Sequence, residues 1–303
     1  MSPNTPNDSG PKSPEGGRQL YGPGIVVRTI SIPGVPDKFG NRWQYHSRSD
    51  RHSKVACWAV LFDLLRSSNT LRRHVTEGKV VFGVNQELSD FKTRRKKNLD
   101  LVVARPGTDG PKGSWPPTFA GLGTYFRVEL TRAEKRELDA LPNLVHGSVG
   151  SVLLALEAKA CMTEHGKARP RLYDELNSSH LTVHGASDQA IAVGFVMLNA
   201  SATFISPDRN KHNLGVRPAE VNPHKQPQAA IGVNEKVREL PTRTKTAEEG
   251  YDALGIVVVD CKNDGSPITL VSGPPAPVAS DLYHYDQMVR RAAQIYDTRF
   301  IGI

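Results

Sequence analysis

The spacing of apolar residues divides the chain into predicted helices and strands. Apolar residues at helical spacing predict a first helix over 54–77, and the Thr131–Glu134 capping box predicts a short helix that ends near 141. Continuous apolar runs predict strands at 79–84, 99–104, 151–160, 190–205 and 255–260, and a shorter strand at 125–130. Further helices are predicted near 170, over 228–240 and over 280–296. This order predicts an α/β fold with a central mixed β-sheet flanked by helices.

Stretches rich in proline, glycine and polar residues set the predicted domain boundaries. Residues 1–45 predict a disordered or extended N-terminal arm. Residues 46–205 are the predicted core, with an irregular loop at 105–123 and an inserted helix. Residues 206–303 are expected to form a C-terminal extension packed on the core, made of a basic loop, a hairpin and a final helix.

The net charge of the chain favours a polyanionic partner. The 303 residues carry a formal net charge of +8, and nucleic acid is the commonest partner of such proteins. A basic protein without such a partner is the alternative. Cys57, Cys161 and Cys261 lie far apart, so no pair has the spacing of zinc ligands. Few cysteines, no signal peptide and no apolar run of membrane-span length predict a cytoplasmic protein with no membrane partner.

Two of the predicted strands carry acidic residues within or at the end of an apolar run. Asp100 lies on one strand, and Glu157 and Lys159 lie on another, where side chains two residues apart share a face. Magnesium prefers oxygen ligands and keeps several of its waters. Asp100 and Glu157, with the backbone carbonyl of Ala158 as a third oxygen, therefore suffice as its protein ligands. Lys159 is then placed to orient an attacking water or to stabilise the charge of a phosphoryl transition state.

These strands resemble the motif of the PD-(D/E)XK superfamily, the restriction-endonuclease-like nucleases. The order of helices and strands over about 50–205 resembles the core of that family as well. The resemblance implies a restriction-endonuclease-like core, DNA cleavage with Mg²⁺ (or Mn²⁺ in its place), and often a homodimer. It makes Asp100 and Glu157 the metal ligands and Lys159 the catalytic lysine. The chain departs from the motif at Leu99, where the family name has proline, and in its long stretch between Asp100 and Glu157.

Three other acidic or histidine positions are weaker candidates for the same chemistry. Asp63, on the first helix, stands where relatives of the resembled family often have an extra carboxylate, although a surface acid is the simpler interpretation. Glu164 and His165 follow the Glu-x-Lys strand and are possible additional metal or proton-transfer groups. A rival site is formed by Asp260 and Lys262, which also follow an apolar run but lead at once into a hairpin turn.

Basic residues near these strands are candidates for contact with DNA phosphates. They are Lys96, Lys97, Lys167, Arg169 and Arg171. A solvated run of charge is the alternative for each group. Aromatic residues also lie near the glycine-rich loop, namely Trp115, Phe119 and Tyr125, and core anchoring explains them better than stacking on bases.

The sequence as a whole predicts a Mg²⁺-dependent endodeoxyribonuclease that hydrolyses phosphodiester bonds of double-stranded DNA, as a type II restriction or phage-defence enzyme. One alternative is a repair or junction-resolving nuclease, and another is a non-catalytic DNA-binding protein with the same fold. Cleavage of both strands at matching positions would favour a two-fold homodimer.

Overall fold

Eight helices are found in the part of the chain that the computed structural model describes, residues 18–91 and 93–303. They are α1 (Gly22–Ser31), α2 (Arg51–Ser67), α3 (Asn69–Thr76), α4 (Phe119–Tyr125), α5 (Arg132–Asp139), α6 (His165–Ala186), α7 (Gln228–Arg238) and α8 (Tyr285–Arg299). The capping box predicted from Thr131 and Glu134 is present at the start of α5. No helix within the described ranges is both long enough and apolar enough to cross a bilayer.

The described strands form one six-stranded mixed sheet and one small ribbon. They are β1 (Val81–Ser89), β2 (Lys96–Pro106), β3 (Val149–Cys161), β4 (Ile191–Asn199), β5 (Thr203–Ile205), β6 (Val221–Pro223), β7 (Ala253–Asp260) and β8 (Thr269–Leu270). The large sheet has the order β1-β2-β3-β4-β7-β8, and β5 pairs with β6. The β1–β2, β2–β3 and β7–β8 pairs are antiparallel, whereas β3, β4 and β7 run parallel. This confirms the predicted α/β fold with a mixed central sheet.

Each face of the sheet packs against its own helices. Residues of α1, α2, α3 and α8 form one apolar core with side chains such as Leu101, Leu156 and Phe195. Residues of α6 and α7 form a second core on the opposite face with side chains such as Val102, Ala155 and Val196. Leu101 and Val102, and likewise Ala155 and Leu156, therefore point to opposite faces, as strand alternation requires.

The predicted N-terminal arm is wrong for part of its length. The helix α1 buries Ile25, Val26 and Ile30 against the core, because its apolar residues recur three and four apart and fill the groove beside α2. Its proline lies in the first turn, where a missing amide hydrogen costs nothing. The first 17 residues of the predicted arm lie outside the described residues.

The long helix predicted over 54–77 is two helices, α2 and α3, because Ser68 starts a new one. The Ser68 side chain accepts a hydrogen bond from the amide of Leu71, and Asp297 of α8 accepts bonds from the Ser68 hydroxyl and the Thr70 amide. These capping bonds replace the backbone bonds of a continuous helix. The strand predicted at 125–130 is also wrong, because α4 ends there at Tyr125 and irregular backbone follows.

Residues 206–303 contribute directly to the large sheet. The strand β7 lies parallel to β4, so the C-terminal part of the chain extends the same sheet as the predicted core. The buried Asp252 carboxylate contacts the guanidinium groups of Arg243 and Arg299, which ties α8 to the start of β7. The predicted core and its extension therefore share one sheet and one pair of apolar layers.

Candidate active site

The candidate site lies where β2 and β3 separate. The regular backbone pairing of β2 with β3 ends at Leu101 opposite Leu156. Beyond that point the side chain of Asp100 takes the place of a backbone partner. Its Oδ2 accepts a hydrogen bond of 3.0 Å from the backbone amide of Ala158. A residue in an extended strand points its amide and its carbonyl to the same neighbouring strand, so the Ala158 carbonyl also faces the Asp100 side.

The neighbouring strand β1 is irregular at the same level. The β1–β2 register passes from Val84 opposite Leu101 to Gln86 opposite Leu99, and leaves Asn85 and Asp100 unmatched. Asn85 has a φ of 50°, in the left-handed region where asparagine is better tolerated than most residues. At this missing pair, the Asp100 carboxylate turns towards α2 instead of following the alternation of its strand.

A buried lysine from α2 neutralises Asp100. The Lys54 ammonium lies 2.6 Å from Asp100 Oδ1 and also donates to the side-chain oxygen of Asn85. The Ser53 hydroxyl donates to the same Asp100 oxygen at 3.1 Å. With a side chain only 2 % exposed, Lys54 needs this partner, because an unpaired ammonium at that depth is strongly unfavourable.

Glu157 and Lys159 point to the face of β3 that is covered by α6, opposite the face that packs against α2. The Lys159 ammonium lies 2.9 Å from Glu157 Oε1 and 3.5 Å from Glu175 Oε2. Lys97 from β2 lies 3.9 Å from the same Glu157 oxygen. Burial favours the neutral amine of Lys159, but the Glu157 carboxylate outweighs it and raises the pKa of Lys159. Lys159 is therefore a stable cation at neutral pH.

Glu157 is the one member of this cluster with an unsatisfied atom. The residue is 3 % exposed, and its Oε2 has no hydrogen-bond partner among the described residues. Burial and, next, the charge of Asp100 raise the pKa of Glu157, against the opposing effect of Lys159. A buried carboxylate with a raised pKa, a free oxygen and a second carboxylate nearby has the properties of a cation ligand.

An open cleft of about 590 Å³ gives access to this cluster. Asp100, Ala158, Lys159, Lys54 and Glu175 line it, whereas Glu157 lies beneath Lys159 and is not part of the lining. The cleft also contains His52 of α2, whose pKa burial lowers to about 4, so its imidazole is neutral at pH 7.

The structure separates the predicted phosphate-binding residues. Lys167 and Arg171 lie at the cleft, both largely exposed, and pair with Glu164 and Glu175 respectively. Arg169 points away towards α7, where a Cβ added to Gly232 would come within 2.7 Å of its Nη1. Of the two lysines on β2, Lys97 reaches Glu157, whereas the exposed Lys96 pairs with Glu87 on β1.

The additional candidates after β3 take different places. Glu164 lines the cleft and pairs with Lys167 and Arg209. His165 is buried, and its Nε2 lies 2.8 Å from the carbonyl oxygen of Asn199, as expected for a structural histidine. Cys161 is buried at the end of β3, and burial raises its pKa to about 12, which agrees with a packing role.

Asp63 does not join the cluster. Its carboxylate accepts hydrogen bonds from the amides of Tyr21 and Gly22 and from the Tyr285 hydroxyl, and it pairs with Arg66 at 2.9 Å. The structure thus corrects the surface interpretation and gives no support to a role beside Asp100. Asp63 holds the start of α1.

The rival pair, Asp260 and Lys262, lies apart from the cluster. Glu157 is level with Gly194 on β4 and therefore with Leu254 on β7. Asp260 comes six residues after Leu254, about 20 Å farther along the strand at the usual rise. Both rival residues are exposed at the end of β7.

Sequence reasoning missed Lys54 and Glu175. A signal for Lys54 was present, because it lies four residues before Trp58 on the apolar stripe of the first predicted helix, where a charge requires a partner. Glu175 lies three residues after Leu172 and one before Leu176, at the edge of the buried face of α6. The sequence does not tell on which side of that edge its carboxylate falls.

Among residues 18–91 and 93–303, no group of three or more His, Cys, Asp or Glu side chains is arranged to hold a metal ion. Two carboxylates and a backbone carbonyl are a smaller set than that, and they suit a cation that retains most of its waters. Comparison with protein-family models, with curated proteins and with solved structures finds no match to the chain.

Proposed function

We propose that the protein is a Mg²⁺-dependent endodeoxyribonuclease of the restriction-endonuclease-like class, acting on double-stranded DNA. The observation that carries the proposal is the hydrogen bond from the Ala158 amide to Asp100. It brings the lone carboxylate of β2 to the backbone of Ala158, which lies between Glu157 and Lys159 and is 58 residues from Asp100 in the sequence. The motif requires Asp100, Glu157 and Lys159 to lie near one another, and this contact supports such an arrangement.

The topology supports the proposal. The chain runs through α2, β1, β2, β3, α6 and β4 in that order, with β1–β2–β3 antiparallel and β4 parallel to β3. This is the order of elements on which the resemblance to the PD-(D/E)XK superfamily depends. The loop and the helices α4 and α5 between β2 and β3 account for the long stretch between the two halves of the motif.

The donors in the site fit a hard divalent cation. The free Oε2 of Glu157, the Asp100 carboxylate and the carbonyl of Ala158 are all oxygens, as Mg²⁺ or Mn²⁺ prefers. When bound, such a cation polarises the phosphoryl oxygen and lowers the pKa of a bound water. Lys159, held as a cation by Glu157, donates hydrogen bonds to developing negative charge and does not act as a base.

The surroundings of the cleft suit a polyanionic substrate. Lys167 and Arg171 project from the first turns of α6 with side chains 86 % and 82 % exposed, so their pairing with glutamates leaves them accessible to phosphates. The net charge of +8 favours DNA over an acidic or neutral partner. Homodimer formation and a cytoplasmic location stay predictions; the buried state of all three cysteines, without disulfides, is compatible with a reducing compartment.

A plasmid-cleavage assay tests the proposal. We expect supercoiled DNA to be cut in Mg²⁺ or Mn²⁺ but not in EDTA, and expect Glu157→Gln and Lys159→Ala to abolish cutting. Asp260→Asn is the matched control, because it removes an exposed carboxylate at the end of a parallel strand outside the cluster. If Glu157→Gln and Lys159→Ala cut as well as the parent, the proposal is wrong, and loss of cutting in Asp260→Asn alone would identify the rival site.

The buried Lys54–Asp100 pair favours a second candidate, a DNA-binding protein without catalytic turnover. An ammonium 2.6 Å from one of the two proposed ligands already supplies the positive charge that a metal would bring. This candidate predicts salt-sensitive DNA binding with no cleavage in any divalent metal, and it predicts that Glu157→Gln leaves DNA affinity unchanged.

A further inference from the structure

A second cleft adjoins the candidate active site. It has a volume of about 650 Å³ and shares Tyr45, Arg48, Asp50 and His52 with the first cleft. Its other walls come from residues 32–37, from Trp43 and from the segment around Trp115 and Tyr125. A group bound there would therefore lie directly beside a phosphate in the active cleft. The volume is within the usual range for a small-molecule site.

The walls of this second cleft are aromatic, and some of these side chains are not part of the core. Phe119 stacks on Trp58 in the apolar interior and the half-buried Trp115 packs against the same core, both as predicted, whereas Tyr125 does not join it. Tyr125 is 59 % exposed, and its ring meets Trp115 edge to face at 5.8 Å. The exposed Tyr125 ring, ordered by its contact with the half-buried Trp115, offers flat apolar surface to a planar ligand in the cleft.

The lining of the same cleft holds three arginines against two aspartates, Asp37 and Asp50. Arg51 is fixed by donating to the carbonyls of Thr29 and Ile32, and Arg127 and Arg48 complete the set of guanidinium groups in the lining. Burial and, next, the nearby charge of Arg127 lower the pKa of Arg51, against the opposing effect of Glu129. An anionic group between Arg51 and Arg127 would relieve the repulsion of their like charges.

We propose that this aromatic cleft binds one nucleobase of the DNA substrate, turned out of the double helix, next to the phosphate that is cleaved. The inference rests on the proposed function. Aromatic surface accepts any base by stacking, and the arginines hold the flanking phosphates of the extruded nucleotide. The base of a paired duplex must first be unstacked, and this cost is smallest for a base that has no partner.

The test compares three labelled duplexes by fluorescence anisotropy. One is fully paired, one carries a single extrahelical adenine nucleotide, and one carries an extrahelical abasic nucleotide in the same place. The full chain with Glu157→Gln is used in EDTA, so that no cleavage occurs. We expect the adenine duplex to bind about tenfold more tightly than the other two, a factor within the usual range for the stacking of one base.

The variants assign this preference to the cleft. We expect Tyr125→Ala to remove most of it, and Trp115→Ala to do the same, without weakening binding to the paired duplex. Phe91→Ala is the matched control, because Phe91 is 81 % exposed at the β1–β2 turn and lies outside both clefts. Thermal melting of each variant shows that it is folded, and Tyr125 is the safer position because it is the more exposed.

Two outcomes would overturn the inference. One is equal binding of the adenine and abasic duplexes, which would mean that flexibility and not the base is recognised. The other is a base preference that survives in both Tyr125→Ala and Trp115→Ala. Because this assay needs no cleavage, a failed plasmid assay with an intact base preference would refute the nuclease and leave the cleft assigned, whereas the reverse pattern would refute the cleft alone.

Discussion

Asp63 and Glu157 are both buried carboxylates with raised pKa values, yet their surroundings are opposite. Asp63 receives two backbone amides, a tyrosine hydroxyl and an arginine, so its oxygens are fully engaged. Glu157 is paired through one oxygen only and leaves the other without a partner among the described residues. The hydrogen bonds of Asp63 join separate parts of the fold. Glu157 instead keeps one oxygen atom that can bind another group. Hydrogen-bond satisfaction, and not burial, distinguishes the structural acid Asp63 from Glu157, the acid that we propose to be functional.

The largest expected effect is on catalysis at the unsatisfied acid. Glu157→Gln keeps the shape of the side chain but removes the charge that a divalent cation needs. Since a catalytic metal contributes several kcal/mol to transition-state stabilisation, we expect cleavage to fall by about 10³-fold or more, measured as initial plasmid-cutting rate in Mg²⁺. Asp63→Asn, assayed where it remains folded, should keep the parent rate. Equal losses of cleavage activity in Glu157→Gln and Asp63→Asn would contradict the proposed difference between these two acids.

The second effect is on stability, and it should have the reverse order. Asp63→Asn leaves the buried Arg66 with only the partly exposed Glu137 as a charged partner, so we expect the free energy of unfolding to fall by about 3 kcal/mol. Glu157→Gln removes a desolvated charge, so its stability in EDTA should equal or exceed that of the parent. Urea denaturation measures both, and a Glu157→Gln protein that is the less stable of the two would contradict this assignment.

The pH dependence sharpens the comparison further. A carboxyl whose pKa is higher in the folded than in the unfolded state binds more protons when folded, so stability falls as the pH rises through that window. Burial, with the Asp100 charge next, raises the pKa of Glu157, and each pKa unit corresponds to about 1.4 kcal/mol. We expect Glu157→Gln to flatten the loss of stability that the parent shows in EDTA above the ordinary glutamate range. Metal binding requires the carboxylate, so cleavage by the parent should weaken as the pH falls through the same window.

The smallest effects belong to the exposed cations of α6. Their ion pairs with glutamates are solvent-exposed, so Lys167→Ala and Arg171→Ala should change stability by less than about 1 kcal/mol. Each should instead lower the slope of log affinity against log salt for DNA by about one. Arg169→Ala, which changes a residue directed to α7, is the internal control and should leave that slope unchanged.

The sequence predicted the strands well and the partners of charged groups poorly. Long apolar runs placed β3, β4 and β7, because a buried strand leaves a continuous signal along the chain. The helix α1 was hidden by the proline and glycine around it, since its stability comes from burial against α2. The tertiary contact with α2 therefore determines the helical structure of this segment, although its local composition predicts an irregular arm.

The site was predicted in part for a related reason. Asp100, Glu157 and Lys159 stood out because each interrupts or ends an apolar run. Lys54 comes from a distant helix, and its pairing with Asp100 accompanies the missing Asn85–Asp100 pair in the β1–β2 ladder, which leaves no periodic trace in the sequence. Such partners are set by the way elements pack, and so only the folded chain identifies them.

The backbone amide of Ala158 can report on the state of the Asp100 carboxylate. Most strand amides are bonded to a neighbouring backbone, but this one is held by a side chain, Asp100. Its exchange with deuterated solvent should therefore follow the state of that carboxylate, slow in the parent and faster in Asp100→Ala, while the amides on either side of it, bonded towards β4, keep their protection. One proton in the middle of the sheet can thus be watched by nuclear magnetic resonance as cation or DNA is added.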